Sequence, residues 1–422
     1  MSIPAPNPNA EETRDNPSPT GVLASAPAKI SRTEEAKAAA RHFSIVVGGP
    51  VYDFFLRIGL IRRGLPNVRP RILAFVTITW LPLLVLSLKD GLALGDKVKI
   101  PLLVDFSTYG RLLFALPLLL IAEVVIDPAI RSAVGELVEE EIVPEKELPS
   151  LEAALHRVQR WRDSAIPELT LLAVAFFPVF MFQHEWKPGI VSTWHSTTTG
   201  FTMAGWWYVA FSAPLFRFIL YRWIFRYFIW AALLVRISRL RLRLLPTHPD
   251  RMAGLEFLSR VQARFGILLC ALGCTFAGNV ANSVINEGVP LSSFKILAPA
   301  FVVLAVLVGI LPLAVWLPRM AHVHRIGLQE YGRLGSRYSS DFDHKWVHTT
   351  EPPSEQLLGT ADIQSLADLN SSYEAVAEMS IVPITRKLAV QLAVLAALPL
   401  IPVAICATPT ATLVKAIMKM IA

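Results

Sequence analysis

Ionisable and amide side chains set inside long apolar runs are the residues in this chain that could do chemistry. Glu123 and Asp127 stand at i and i+4 near the end of one run, and Arg217, Arg222 and Arg226 interrupt another. Such groups are costly in hydrocarbon and mark ion paths, proton relays or counter-charges to ligands. The spacing allows Glu123 to pair with Arg222 or Arg226. The competing reading lets Arg222 and Arg226 snorkel to the interface, with Asp127 outside it. Arg217 lies deeper and about 180° around the helix from Arg226, so the arginines make no single voltage-sensor stripe.

A second constellation lies further along. At 100° per residue, Thr275, Asn279, Asn282, Ser283 and Asn286 fall within about 100° of arc, and Gly266, Cys270, Gly273, Cys274, Ala277 and Ala281 fall opposite. Small residues allow helices to approach closely in lipid, and amides seek partners there. The polar face either lines a hydrated path or hydrogen-bonds neighbouring helices.

The string Thr247-His248-Pro249-Asp250-Arg251 sits in a basic connector, 236–264, with seven arginines against two acids. Pro249 fixes a turn, and Asp250 is placed to cap the helix that follows. An anion site built from arginines and a helix N-terminus is one reading; a structured turn is the other. Scattered groups such as His322 and His324, or His184, Glu185 and His195, do not fix the three or four converging ligands a metal needs. No metal or cofactor is expected. No phosphate-binding glycine loop, dinucleotide fingerprint, nucleophile elbow or zinc-hydrolase motif occurs, which argues against an enzyme.

The stretch from Arg236-Ile237-Ser238-Arg239-Leu240 through Thr247–Arg251 to Gly254-Leu255-Glu256-Phe257-Leu258 resembles a signature of bacterial multi-pass inner-membrane proteins carrying a THPDR-x-x-GL-type cytoplasmic loop. The string Ile363-Gln364-Ser365-Leu366-Ala367-Asp368-Leu369 is also similar to their cytoplasmic segment. Those proteins tend to have two glycines before the leucine, where this chain has Ala253-Gly254. The resemblance covers the C-terminal half and implies a bacterial membrane protein, without implying an activity.

Composition says what must position these residues. Of 422 residues, 53% are hydrophobic and 17% charged, against about 25% charged in soluble domains; mean hydropathy is +0.48. One soluble core cannot hide so much apolar surface, whereas lipid can solvate it. The expected fold is all-α, a polytopic helical bundle of about seven spans with cytoplasmic amphipathic helices. Spans are expected near 72–88, 112–126, 166–182, 204 onward, 265–285, 296–317 and 388–406. Pro128 is read as stopping the second, and the fourth is read as projecting to about Leu245. Pro399 and Pro402 make the last a candidate re-entrant segment.

The domain plan follows: a disordered tail 1–28, a basic interfacial segment 29–71, spans in 72–127, and a cytoplasmic helical segment 128–165 capped by Ser150. Spans with connector 236–264 occupy 166–318, followed by a cytoplasmic segment 319–387 and a last span with a short tail in 388–422. The net charge of +7 lies in segments flanking the spans. Placing those segments inside gives an inner-membrane protein with its N-terminus in the cytoplasm. This distribution excludes a nucleic-acid binder and favours contact with anionic lipid head groups and the bilayer; a homo-oligomer is the other expected partner. The three cysteines, Cys270, Cys274 and Cys406, fall in apolar runs and imply no disulfide framework. The first functional expectation is a channel or small-solute or ion transporter. The second is a membrane-anchored sensor or scaffold with a partner-binding cytoplasmic layer.

Overall fold

A computed structural model describes residues 32–60, 68–181, 192–197, 200–348 and 361–407. The tail 1–28, the arginines Arg62 and Arg63, the pair His184 and Glu185, and the C-terminal tail from 408 lie outside the described residues. Twelve helices carry the described fold. They are α1 (Arg32–His42), α2 (Pro50–Arg57), α3 (Arg69–Lys89), α4 (Phe106–Glu139), α5 (Leu148–Asp163) and α6 (Ala165–Met181), then α7 (Met203–Ser238), α8 (Glu256–Ile285), α9 (Leu291–Val347), α10 (Ala361–Ala377), α11 (Arg386–Ala397) and α12 (Leu400–Ala407). The described β structure includes a two-residue antiparallel pair, β1 (Ser196–Thr197) with β2 (Gly200–Phe201).

Five helices, α3, α4, α7, α8 and α9, are long and apolar enough to cross a membrane. Six are if α11 and α12, bent by 49° at their break, form one broken span. Pro399 lies at that break and Pro402 in the first turn of α12, and neither has a backbone donor. Helix α6 is apolar but shorter. The exposed faces are those of lipid-solvated helices: Leu73, Leu81 and Val85 on α3, and Val303, Leu304 and Leu307 on α9, stand open. A water-facing helix would carry charge there.

Proline and glycine shape the spans. Helix α4 starts on Asp105, whose carboxylate accepts from the Ser107 and Thr108 amides. It widens to a π turn at Gly110–Ala115, followed by Pro117. Helix α7 repeats the device, with a π turn at Tyr208–Ser212 before Pro214. The missing proline N–H leaves a carbonyl unpaired one turn back, and the π turn absorbs it. Gly110 then meets Gly278 of α8: a Cβ at Gly110 would lie 2.5 Å from the Cys274 carbonyl, and one at Gly278 2.6 Å from that of Phe106. Gly273 and Gly266 likewise sit against α11. The small-residue face of α8 is therefore its packing face, between α4 and α11.

Three local expectations need correction. Pro128 does not stop α4, which runs through it to Glu139; neighbouring helices hold the far side in register despite one lost hydrogen bond. Ser150 does not cap α5, which begins at Leu148 with Pro149 in its first turn, as suits a residue without an amide donor. Helix α7 ends at Ser238, so Leu245 lies in the connector.

Large side chains seal the interior beside the charges described below. Trp223 and Trp230 are fully buried on α7. Trp223 donates to the Leu119 carbonyl at 2.7 Å, and Trp230 donates to Gln262 Oε1 at 3.2 Å. Gln262, itself buried, donates onward to the Gly309 carbonyl. One amide thus ties α7, α8 and α9 together, with its own oxygen and nitrogen and the Trp230 indole all partnered.

Candidate functional site: a buried ion-pair network under an N-terminal roof

Four helices bring ionisable groups together at one end. Arg71 lies in the first turn of α3 and Glu168 in the first turn of α6, while Glu123 and Asp127 lie on α4, and Arg222 and Arg226 on α7. All six are buried. Glu123 Oε1 accepts from Arg226 Nη1 at 2.7 Å, and its Oε2 accepts from Arg71 Nη1. Arg222 Nη2 stands 3.3 Å from Glu168 Oε1. The ring of Trp223 lies 5.0 Å from the Arg226 guanidinium carbon, and that of Phe218 lies 5.9 Å from that of Arg222. Flat aromatic faces thereby hold both cations in place.

Segment 44–51 closes this end. Asp127 Oδ1 accepts from Ser44 Oγ at 2.6 Å and from the Ile45 amide at 3.0 Å, while its Oδ2 takes Arg131 at 2.8 Å. The Val51 amide donates to Glu168 Oε2 at 2.8 Å. Arg162 of α5 donates to the Ser44 carbonyl at 2.5 Å. Gly48 turns at φ 128, with Arg162 and Asp163 where a Cβ would be; only glycine takes that bend readily. Between roof and network lies a cavity of about 10 Å³, lined by Ile45, Val46, Gly48, Glu168, Arg222 and Arg226 among others.

The charges that the sequence sets inside apolar runs divide. Glu123 pairs with Arg226, while Arg222 pairs with Glu168. Arg217 stays apart and donates to the Ala175 carbonyl at 3.1 Å. Arg71, Glu168, Ser44 and Arg162 were not singled out. Arg71 and Glu168 look like flanking charges, because each stands within one turn of its helix start; a Glu three residues into an apolar helix was the available signal.

The polar face of α8 is not gathered on the network. Thr275 bonds back to the Ala271 carbonyl at 3.2 Å, and Asn279 is exposed. Asn286 donates to Asn282 Oδ1 at 2.7 Å and to the Val104 carbonyl at 2.8 Å. Ser283 accepts from the Val289 amide through its carbonyl. Asn282 also lines a second cavity of about 290 Å³ with Lys99, Asp105, Trp194, His195 and Glu287. There Trp194 donates to Asp105 at 2.9 Å. Burial pushes the His195 imidazole pKa below the ordinary value; Asp105 opposes that shift and Arg111 adds to it.

Asp250 organises the connector. Its carboxylate accepts from the amides of Met252 at 2.7 Å, Gly254 at 3.1 Å and Glu256 at 3.1 Å, and His248 Nδ1 lies 2.7 Å away. Burial works to raise its pKa, but these donors outweigh it and hold the carboxyl below the usual aspartate range. Arg251 pairs with Glu378 beyond α10. His248, Asp250 and Arg251 thus build and dock a turn. No three His, Cys, Asp or Glu side chains converge as metal ligands among the described residues.

Set against family models, curated proteins and solved structures, the chain matches none.

Proposed function

We propose that the chain is an integral protein of a bacterial inner membrane, and that the roofed network is the closed site of a channel or small-solute or ion transporter. One observation carries this: Glu168 faces Arg222 in the cavity with one oxygen and holds the Val51 amide of the roof with the other. Charge in the site and closure of the site thus share one carboxylate. Ionisable groups buried at the end of apolar helices are costly and serve pathways by default. A short, mostly apolar segment, tied to them through Ser44 and its backbone amides, is a gate by position.

The basic segments 29–71, 236–264 and 319–387 support a cytoplasmic N-terminus. Counting α6 and the bent α11–α12 pair with the five long helices gives the seven spans that this orientation requires. Reconstitution into liposomes tests the reading. Flux of at least one small ion or solute above protein-free vesicles is expected, with loss in Arg222→Gln. Vesicles as tight as protein-free controls across inorganic ions, amino acids and sugars overturn it, provided Asp127→Ala, which frees the roof, is equally tight.

A second reading has its own observation. Helices α9 and α10 form a hairpin, Tyr338 donating to the Asp362 carbonyl at 3.2 Å, and Leu334, Ile363 and Tyr373 stand exposed on it. A sensor or scaffold would present such a surface to a partner or to anionic head groups. Deleting 338–380 then removes a co-purifying partner and leaves flux intact.

A further inference from the structure

We infer that the cavity of about 290 Å³ at the other end of the bundle binds a small zwitterion of amino-acid type, its carboxylate toward Lys99 and its amine toward Glu287. The inference does not rest on the roofed network being a transport site. Sixteen residues of α4 separate Ser107, on the cavity wall, from Glu123 in the network. That is about 24 Å of helix, close to the hydrocarbon thickness of a bilayer. On the orientation proposed above, the cavity therefore lies on the outer side.

The protein alone sets the walls. Asp105 is buried and accepts from the Ser107 amide at 3.1 Å, the Thr108 amide at 3.3 Å, Thr108 Oγ1 at 2.6 Å and Trp194 Nε1 at 2.9 Å. Its charge is spent on starting α4 and fixing the Trp194 indole. Trp194 is itself buried; its amide donates to the Ile100 carbonyl at 3.0 Å, and its carbonyl accepts from Thr202 Oγ1 at 2.8 Å. The Lys99 amide donates to the Ser192 carbonyl at 3.0 Å. Residues 99–105 and 192–197 thus brace one another, and the cavity is pre-formed, as small-molecule sites usually are.

Three lining groups are left unspent. Lys99 and Glu287 are exposed, and neither side chain has an ion-pair partner among the described residues. Asn282 accepts from Asn286 through Oδ1, and its amide hydrogens meet no acceptor among the described residues. Burial favours the neutral form of His195, so the imidazole adds no charge at neutral pH. The unspent set is one ammonium, one carboxylate and one amide donor. Closing Lys99 directly on Glu287 would gain little, because exposed ion pairs contribute next to nothing.

Sign and size select the ligand. An inorganic cation or a simple amine answers Glu287 and meets Lys99 as a like charge, and an anion does the reverse. A zwitterion answers both, and its carboxylate has a second oxygen for the Asn282 amide. Hydrogen bonds between ionised groups are the strong ones, so this pairing uses what the walls leave over. A volume of about 290 Å³ stands at the lower end of small-molecule sites, about 300–1,000 Å³. It admits one compact solute and excludes a peptide or a lipid chain.

Thermal unfolding of the full-length protein in detergent tests this, with each of the common amino acids titrated at constant ionic strength. A saturable rise in Tm with at least one is expected, because a ligand of the folded state alone stabilises it. The matching decarboxylated amine and deaminated acid, with one charge each, should give no saturable shift. Lys99 and Glu287 are exposed, so Lys99→Gln and Glu287→Gln should keep the unliganded Tm. Each should bind the amino acid about tenfold more weakly, the order of one hydrogen bond to a charged group. A flat response to every amino acid overturns the inference. So does undiminished binding in either variant, or an amine or acid that matches the amino acid. An amino-acid shift without flux removes the transport reading alone, whereas flux with a flat amino-acid panel removes the zwitterion alone.

Discussion

Glu123 Oε1 and Arg226 Nη1 lie 2.7 Å apart across 103 residues of chain, and the other oxygen of the same carboxylate takes Arg71. One carboxylate therefore joins α3, α4 and α7 at a single point. Replacing Glu123 by Gln strands two buried guanidiniums, and removing one partner of a buried pair costs about 3–5 kcal/mol. The Glu123→Gln/Arg226→Met double variant should be less destabilised than the sum of the two single variants. Thermal or denaturant unfolding of the four proteins measures the coupling. Additive losses would show that the pair is not energetically joined.

The α4–α8 crossing gives a prediction with its own control. Gly110→Ala and Gly278→Ala each drive a Cβ into backbone of the facing helix, which cannot yield as a side chain can, so both should lower Tm. Gly135 on α4 has nothing within 4 Å of an added Cβ. Gly135→Ala should be neutral or stabilise by up to about 1 kcal/mol. Equal behaviour of the three variants would contradict the close crossing.

The connector turn holds Arg251 and Ala253 at φ 56, and Gly254 at φ 89. A non-glycine residue in that left-handed region costs about 1–2 kcal/mol. Ala253→Gly should therefore stabilise the protein. Asp250→Ala should cost about 2 kcal/mol, typical of hydrogen bonds to a charged group, read by denaturant unfolding. The sign of the pH effect follows from the lowered folded-state pKa. The contribution is complete above the ordinary aspartate value of about 3.9 and fades as pH falls through the lower folded value. A wild-type minus Asp250→Asn stability difference that persists unchanged to pH 2 would contradict it.

Much of this was legible in the sequence. Periodicity and length located α3 and the apolar part of α8, and the small-residue stripe of α8 correctly marked a packing face. Helix ends were less legible, because tertiary contacts carried α4 through Pro128 and set the start of α5 at Leu148. The same-face spacing of Glu123 and Asp127 was visible, yet they serve different partners: Glu123 reaches α3 and α7, and Asp127 reaches the roof. Spacing gives the face a residue occupies and does not give what lies opposite. For that reason Asn279, on the stripe with Asn282, ends exposed. Arg71 and Glu168 gain their role only when four helices converge.

The central claim is that segment 44–51 closes a positively charged site, and thiol reactivity beneath it tests this most directly. Ile229 lines the cavity and is buried. Ile229→Cys, with Cys270, Cys274 and Cys406 replaced by Ser, can be exposed to membrane-impermeant anionic and cationic thiosulfonates. The account predicts protection under the native roof and rapid reaction once Asp127→Ala releases Ser44, Ile45 and Val46, the anionic reagent reacting faster than the cationic one. Equal reactivity with and without Asp127→Ala, or faster reaction with the cation, would contradict it.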